Sequence, residues 1–252
     1  MLTFLQNTSF GTLHIICLVC SVLIITLGCV FLRNLSIKKA ILITLIIGII
    51  SEVVKVGTYI IINEDTMHGY LPKTDLPFHL CSIQIIFLII LVFTNNEKLK
   101  RLLLSFMIPS CLIGGLGALL VPTSSSLNVI AITFQYYIYH SVIMWFSMHL
   151  LLSKEFTLTL SDYWKSLLFL LAIALVAIYI NSILNDYIHN INFMYVVNPP
   201  ADNLPILNKN HGWIGYIISY GTIAILAISL FYIRPLIVYI KNKKNKEINN
   251  GE

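Results

Sequence analysis

The sequence predicts an all-α protein: a polytopic membrane helical bundle of seven transmembrane helices, N-terminus outside and C-terminus inside. Three observations carry that prediction. Of 252 residues, 58% are hydrophobic and 11% charged, with a mean hydropathy of +0.86, whereas a soluble domain averages about 45–50% apolar and about 25% charged. Seven apolar stretches match the roughly 20 residues that a helix needs to cross a bilayer core. The basic residues, finally, gather on alternate connections between those stretches. So few charges cannot wet a globular surface, which excludes a soluble enzyme, a disordered tail and a nucleic-acid module. The net charge of +5 is therefore read as a statement about topology.

The first stretch, 13–32, follows a segment without Lys or Arg. A cleaved signal peptide carries a basic n-region, so this stretch is expected to be retained. The second covers 40–62. The third, 77–93, opens with Pro77, whose missing N–H has no helical partner in a first turn anyway. The fourth, 103–121, contains Pro109 and the glycines Gly114, Gly115 and Gly117, so a bend or a close helix contact is expected. The fifth and sixth are 131–152 and 165–184. The seventh, 212–240, is overlong, with Arg234-Pro235 marking its exit from the membrane. One domain, 1–240, thus precedes a basic tail, 241–252.

Sidedness follows from the cations. Arg33, Lys38, Lys39, Lys98, Lys100, Arg101, Lys154, Lys165, Arg234, Lys241, Lys243, Lys244 and Lys246 are 13 of the 16 basic residues, and all fall on one side. The other side holds Lys73 and Lys209, and Lys55 lies within a helix. The positive-inside rule then sets the N-outside orientation and a cell-membrane location. Two outer connections, 63–76 and 185–211, are long and rich in polar residues. The second runs about 27 residues without a helical pattern, a length at which loops are often functional lids. His68, His189 and His211, with Asp65 or Asp186, form too weak a pattern for a metal site. The five cysteines lie in apolar runs without finger spacing, so neither a disulfide framework nor structural zinc is expected.

Ionisable groups inside spans are expensive and usually face a bundle interior. Helix two carries Glu52, Lys55 and Tyr59 on one stripe, either a buried ion pair fixing the packing or the wall of a cavity. Helix five carries Gln135, Tyr136, Tyr139 and His140, with Tyr136 and His140 about 40° apart and His140 about 14 Å below the outer boundary. His149, near the inner end, is read as a packing residue. Cys81 lies about one turn into the third stretch, where the positive end of the helix dipole favours a thiolate. His79, two residues away, is about 200° around a regular helix and cannot share the Cys81 face unless the first turn is distorted. His140 is the better geometric candidate for a base. Cys17, Cys20, Cys29 and Cys111 lack polar company and read as small apolar core residues.

Leu76-Pro77-Phe78-His79-Leu80-Cys81, followed by an aliphatic helix, resembles the LPxHLC signature of the YwaF / transmembrane protein 164 family. Tyr136-x-x-x-His140 resembles that family's histidine-bearing span. Asn192-Phe193-Met194-Tyr195, with Pro199-Pro200 soon after, resembles its NYMYL-like loop, departing at Phe193 where the family has tyrosine. Order and spacing fit across nearly the whole chain. The resemblance implies acyl-chain transfer between glycerolipids, phospholipid donor to lysophospholipid acceptor, with Cys81 carrying the acyl group as a thioester. His79 or His140 would serve as base, and Glu52, Lys55, Tyr59, Gln84, Tyr136, Tyr139, Asn192 and Tyr195 would support the site or bind substrate. Exchange between esters and a thioester is near-neutral in energy, and no P-loop is visible, so no cofactor is expected. The competing reading is a small-solute transporter whose polar path is lined by the second helix. A non-catalytic sensory or assembly protein is a third, without positive sequence support.

Overall fold

Backbone polar groups in a bilayer must be satisfied within the segment, so the apolar stretches have helices as their solution. The computed structural model of the chain is all-helical; it describes residues 11–62, 75–122, 129–187, 191–200, 206–207, 209–210 and 212–249, the side chains of 244–249 excepted. Its helices are α1 (Thr12–Phe31), α2 (Ile37–Ile62), α3 (Leu80–Phe93), α4 (Glu97–Leu120), α5 (Ile130–Leu152), α6 (Leu160–Asn185), α7 (Gly212–Phe231) and α8 (Ile233–Asn249), with one 3₁₀ turn, Phe193–Tyr195, between α6 and α7. Five of them, α1, α2, α4, α6 and α7, are long and apolar enough to cross a membrane. The apolar α3 has only 14 residues, about 21 Å at 1.5 Å per residue. The 23-residue α5 has the length, but tyrosines, histidines and Gln135 dilute its apolar character.

Two boundaries differ from expectation, each for a local reason. The third helix starts at Leu80 rather than Pro77, because residues 76–79 turn back on themselves (Phe78 N–H to the Leu76 carbonyl, 2.7 Å) and His79 is an extended N-cap at φ −74°, ψ 150°. That turn places the Phe78 and His79 rings against a loop described below, a tertiary contact that overrides helix propensity. The seventh stretch is two helices that break at Tyr232. Pro235 has no N–H for the Phe231 carbonyl four residues earlier, and its ring crowds that oxygen, so the first helix ends there. Pro109 does not interrupt α4. The Ser105 carbonyl that it leaves without a helical donor is approached instead by the Tyr232 hydroxyl at 3.4 Å.

The centre of the bundle is α5, packed against α1, α2 and α4. Small residues let the backbones close, as is general where no hydrophobic effect drives helices together. A Cβ at Gly115 would collide with Met144 and sit 3.3 Å from the His140 carbonyl, and one at Gly28 would meet the Trp145 indole. The largest core cluster joins α2, α3, α4 and α5 through residues such as Leu88, Phe106, Met107, Ile143 and Phe146. By contrast α6 and α7 bury few residues and present aliphatic side chains outward.

The end of the bundle that carries the basic residues is fixed by polar contacts. Arg101 forms a fork with buried Asp162 (2.9 and 2.7 Å) and donates to the Thr157 carbonyl at 3.0 Å. Asp162 also closes a capping box with Thr159 at the start of α6. His149 bears out its reading as a packing residue, donating to the Leu35 carbonyl at 3.0 Å and lying against Trp145.

Candidate functional site

The site is built on the start of α3. The first helical bond there runs from Ile83 N–H to the His79 carbonyl, which leaves the N–H groups of Leu80, Cys81 and Ser82 without an intrahelical acceptor. The His79 side chain does not cap them. The partly buried Cys81 has its own N–H and the N–H and hydroxyl of Ser82 as hydrogen-bond donors to its sulfur. From α5, the Tyr139 hydroxyl donates to the Cys81 carbonyl at 2.7 Å, pinning the turn that holds the thiol.

One turn of α5 supplies the rest. His140 is buried and its Nδ1 lies 2.7 Å from the Tyr136 carbonyl. A carbonyl only accepts, so Nδ1 carries the proton, and in the neutral ring the lone pair is on Nε2. That Nε2 is buried without a hydrogen-bond partner among the described residues. The ring lies on Tyr136 at 4.2 Å between centroids and meets Tyr139 edge-on at 5.6 Å. Both tyrosines are within electrostatic range of the Cys81 thiol, as Lys55 is of Cys81 and of His140. Lys55 is itself paired with Glu52 at 2.8 Å. Of the two readings of the α2 stripe, the ion pair is the one observed. Gln84, one turn beyond Cys81, is fully buried, donates to Ser110 at 3.0 Å and leaves its Oε1 without a partner among the described residues. Tyr59 stands apart, packed with Val129 and Ile132 in a separate small core.

A loop closes over this turn. His79 does not share the helical face of Cys81; its ring is held between Phe193 (5.4 Å) and Tyr195 (5.6 Å), with Phe78 also on Phe193 at 5.3 Å. Met194 and Tyr195 both have positive φ, 56° and 54°, a left-handed pair that costs about 1–3 kcal/mol per residue and persists only when neighbours over-determine it. Here they do. Asn181 of α6 makes a reciprocal pair with the Phe193 backbone, donating to its carbonyl at 3.0 Å and accepting its N–H at 2.8 Å. From α7, Tyr220 donates to the Met194 carbonyl at 3.1 Å and Trp213 to that of Val196 at 2.9 Å, while the Tyr216 hydroxyl reaches the carbonyls of Tyr195 and Asn198. Asn192 folds the far side by accepting the N–H groups of Val197 and Asn198, each at 3.1 Å. Burial first, and then the nearby Cys81, push the Tyr195 phenol up to about 12, so at neutral pH it is a protonated donor.

Of the expected residues, Glu52, Lys55, Cys81, Tyr136, Tyr139, His140 and Tyr195 come together, with His79 and Asn192 holding the loop side. Ser82, Asn181, Trp213, Tyr216 and Tyr220 were missed. Asn181 was legible in principle, since an uncharged amide inside an apolar span needs a partner as an ionisable group does. So was His14 of α1, fully buried, donating from Nε2 to the Leu119 carbonyl at 2.8 Å and lying against Tyr137. The loop histidines His68, His189 and His211, with Asp65, lie outside the described residues. Comparison with curated proteins and with solved structures finds no match. The sequence model of the TMEM164 family, however, matches residues 9–232, which take in all of the elements just described, and the chain is a membrane protein belonging to that family.

Proposed function

We propose that the chain is an integral membrane acyltransferase that moves a fatty acyl group between glycerolipids through a thioester on Cys81. The supporting observation is a thiol set at a helix start, joined through Tyr139 to a buried histidine whose lone pair has no partner among the described residues. In this reading Cys81 passes its proton to His140 Nε2 and the sulfur attacks the ester carbonyl of a phospholipid. The oxyanion is met by the N–H groups of the first turn of α3, which have no intrahelical acceptor. Collapse breaks the C–O bond, and the departing glycerol oxygen takes the proton back from His140. A lysophospholipid hydroxyl then gives its proton to His140 and attacks the thioester, which restores the thiol. Tyr139 positions the Cys81 turn, and the 191–198 loop keeps water from the thioester.

The site lies in the outer half of a seven-span, N-outside bundle in the cell membrane, with α3 and α5 as the spans additional to the five that qualify by length and composition. Transport through the α2 stripe gains nothing from the geometry, because Lys55 is closed onto Glu52 rather than left open to a path. The test is intact-protein mass spectrometry of the purified chain after incubation with a phospholipid. The expected result is a mass gain of one acyl group, labile to hydroxylamine, present in the wild type and absent in Cys81→Ala. An adduct that persists in Cys81→Ala, or none in a folded wild type given several phospholipids, overturns the reading.

A further inference from the structure

The opposite end of the bundle holds a cavity that the acyl-transfer chemistry does not use. Its volume is about 520 Å³, within the about 300–1,000 Å³ typical of small-molecule sites. Its walls come from Ile108, Leu150, Phe156, Leu158, Phe231 and Val238, and Arg234 and Asn242 contribute polar groups from α8. Ile108 lies eleven residues into α4, about 16 Å from its first turn at 1.5 Å per residue, so the cavity runs from the basic end of the bundle toward its middle. Ser153, Thr157 and Thr159 line it as well, so it is a mainly aliphatic slot with hydroxyls and one cation among its walls.

We infer that this cavity binds one acyl chain of an anionic phospholipid, with the lipid phosphate held by Arg234. Charge complementarity selects the head group. Arg101 is already neutralised by Asp162, whereas Arg234 takes part in none of the ion pairs among the described residues. The same helix continues with Lys241, Lys243, Lys244 and Lys246 against one acid, Glu247, and a cluster of four to eight basic residues next to a span is a mark of anionic-lipid binding. The walls select the rest. A soluble anion would leave the deep aliphatic surface of Ile108 and Leu150 and the half-exposed Val238 unused, while an acyl chain covers them. The site is separate from Cys81, so the inference stands whether or not acyl transfer does.

Native mass spectrometry of the full chain in detergent tests it, with phosphatidylglycerol, phosphatidylcholine of the same chains, and inorganic phosphate as probes. Phosphatidylglycerol adducts are expected to dominate. Arg234→Ala should weaken them about fivefold, the equivalent of the ~1 kcal/mol contributed by one cation at an anionic surface. Val238→Trp, which fills the slot without touching a charge, should remove them, while its thermal melt and secondary structure stay those of the wild type. A folded Val238→Trp that keeps its adducts would show surface attraction alone and overturn the proposal. Equal retention of the two lipids, or equal stabilisation by inorganic phosphate, overturns it as well.

Discussion

Asn181→Leu is the sharpest perturbation of the loop over Cys81. Asn181 is 2% exposed, and its amide satisfies both the N–H and the carbonyl of Phe193, itself fully buried. Leucine keeps the number and branching of the side-chain heavy atoms and removes both bonds. Two buried backbone groups left unpaired cost about 1–3 kcal/mol each, and the left-handed Met194–Tyr195 pair, at about 1–3 kcal/mol per residue, already pulls toward opening. Some relaxation is expected, so a net loss of about 3 kcal/mol is reasonable, and that multiplies the open population by about 100. The assay is the rate of Cys81 modification by a membrane-impermeant maleimide, read by peptide mapping so that the other four cysteines do not intrude. Labelling of Cys81 should rise by one to two orders of magnitude, while the fully buried Cys111 labels no faster than in the wild type. A folded Asn181→Leu with unchanged Cys81 labelling would refute the reasoning, since the loop would not then be what shields the thiol.

Three further outcomes are expected. His140→Gln keeps a side chain of similar reach but no base, and should slow acyl transfer by about 10²–10⁴; His79→Gln should cost much less, and a reversed order in steady-state rates would move the base to His79. Gly115→Leu drives a side chain into Met144 at the α4–α5 contact and should cost about 1–3 kcal/mol, read as a lowered melting temperature; an unchanged melt would mean that the helices do not close there. Tyr195→Gly relieves one left-handed residue while removing the ring against His79. The expected result is a melt within about 1 kcal/mol of wild type with transfer strongly reduced, and retained transfer would leave Tyr195 a structural residue only.

The sequence carried the helices well because length and hydropathy act locally on a segment. It also singled out Cys81, Tyr139 and His140 from helical periodicity, and the Tyr139 hydroxyl does reach the Cys81 carbonyl. What it did not carry is long-range. The start of α3 at Leu80 depends on Phe193 and Tyr195, more than a hundred residues away, whose rings engage Phe78 and His79. The break at Tyr232 was a local signal placed three residues late: the effect of Pro235 is felt at the carbonyl four residues before it, not at the proline. The 185–211 connection is expected as a lid from its length, but the left-handed pair within it sits on Met194 and Tyr195, residues that no turn rule favours. Side chains of two other helices impose that conformation.

That loop and the core follow one rule, inverted from soluble proteins. In a bilayer the surrounding solvent is as apolar as leucine, so burial is not won by apolar residues. The helix with the most tyrosine and histidine is α5, and it is α5 that the other helices enclose. The apolar α6 and α7 are left on the outside, and the one buried asparagine of α6 marks where the loop docks. Polar groups enclosed in this way should all find partners, because an unmade hydrogen bond there costs about 1–3 kcal/mol. Four groups are exceptions among the described residues: the Tyr137 hydroxyl and Trp145 Nε1, which carry protons, and His140 Nε2 and Gln84 Oε1. Of the last two, one lies in the aromatic cluster with Tyr136 and Tyr139 and the other one turn beyond Cys81 on α3. Both can only accept a hydrogen bond when His140 is neutral. The groups acyl transfer would bring are a thiol proton and a lysolipid hydroxyl, both donors, and those are what such acceptors would meet.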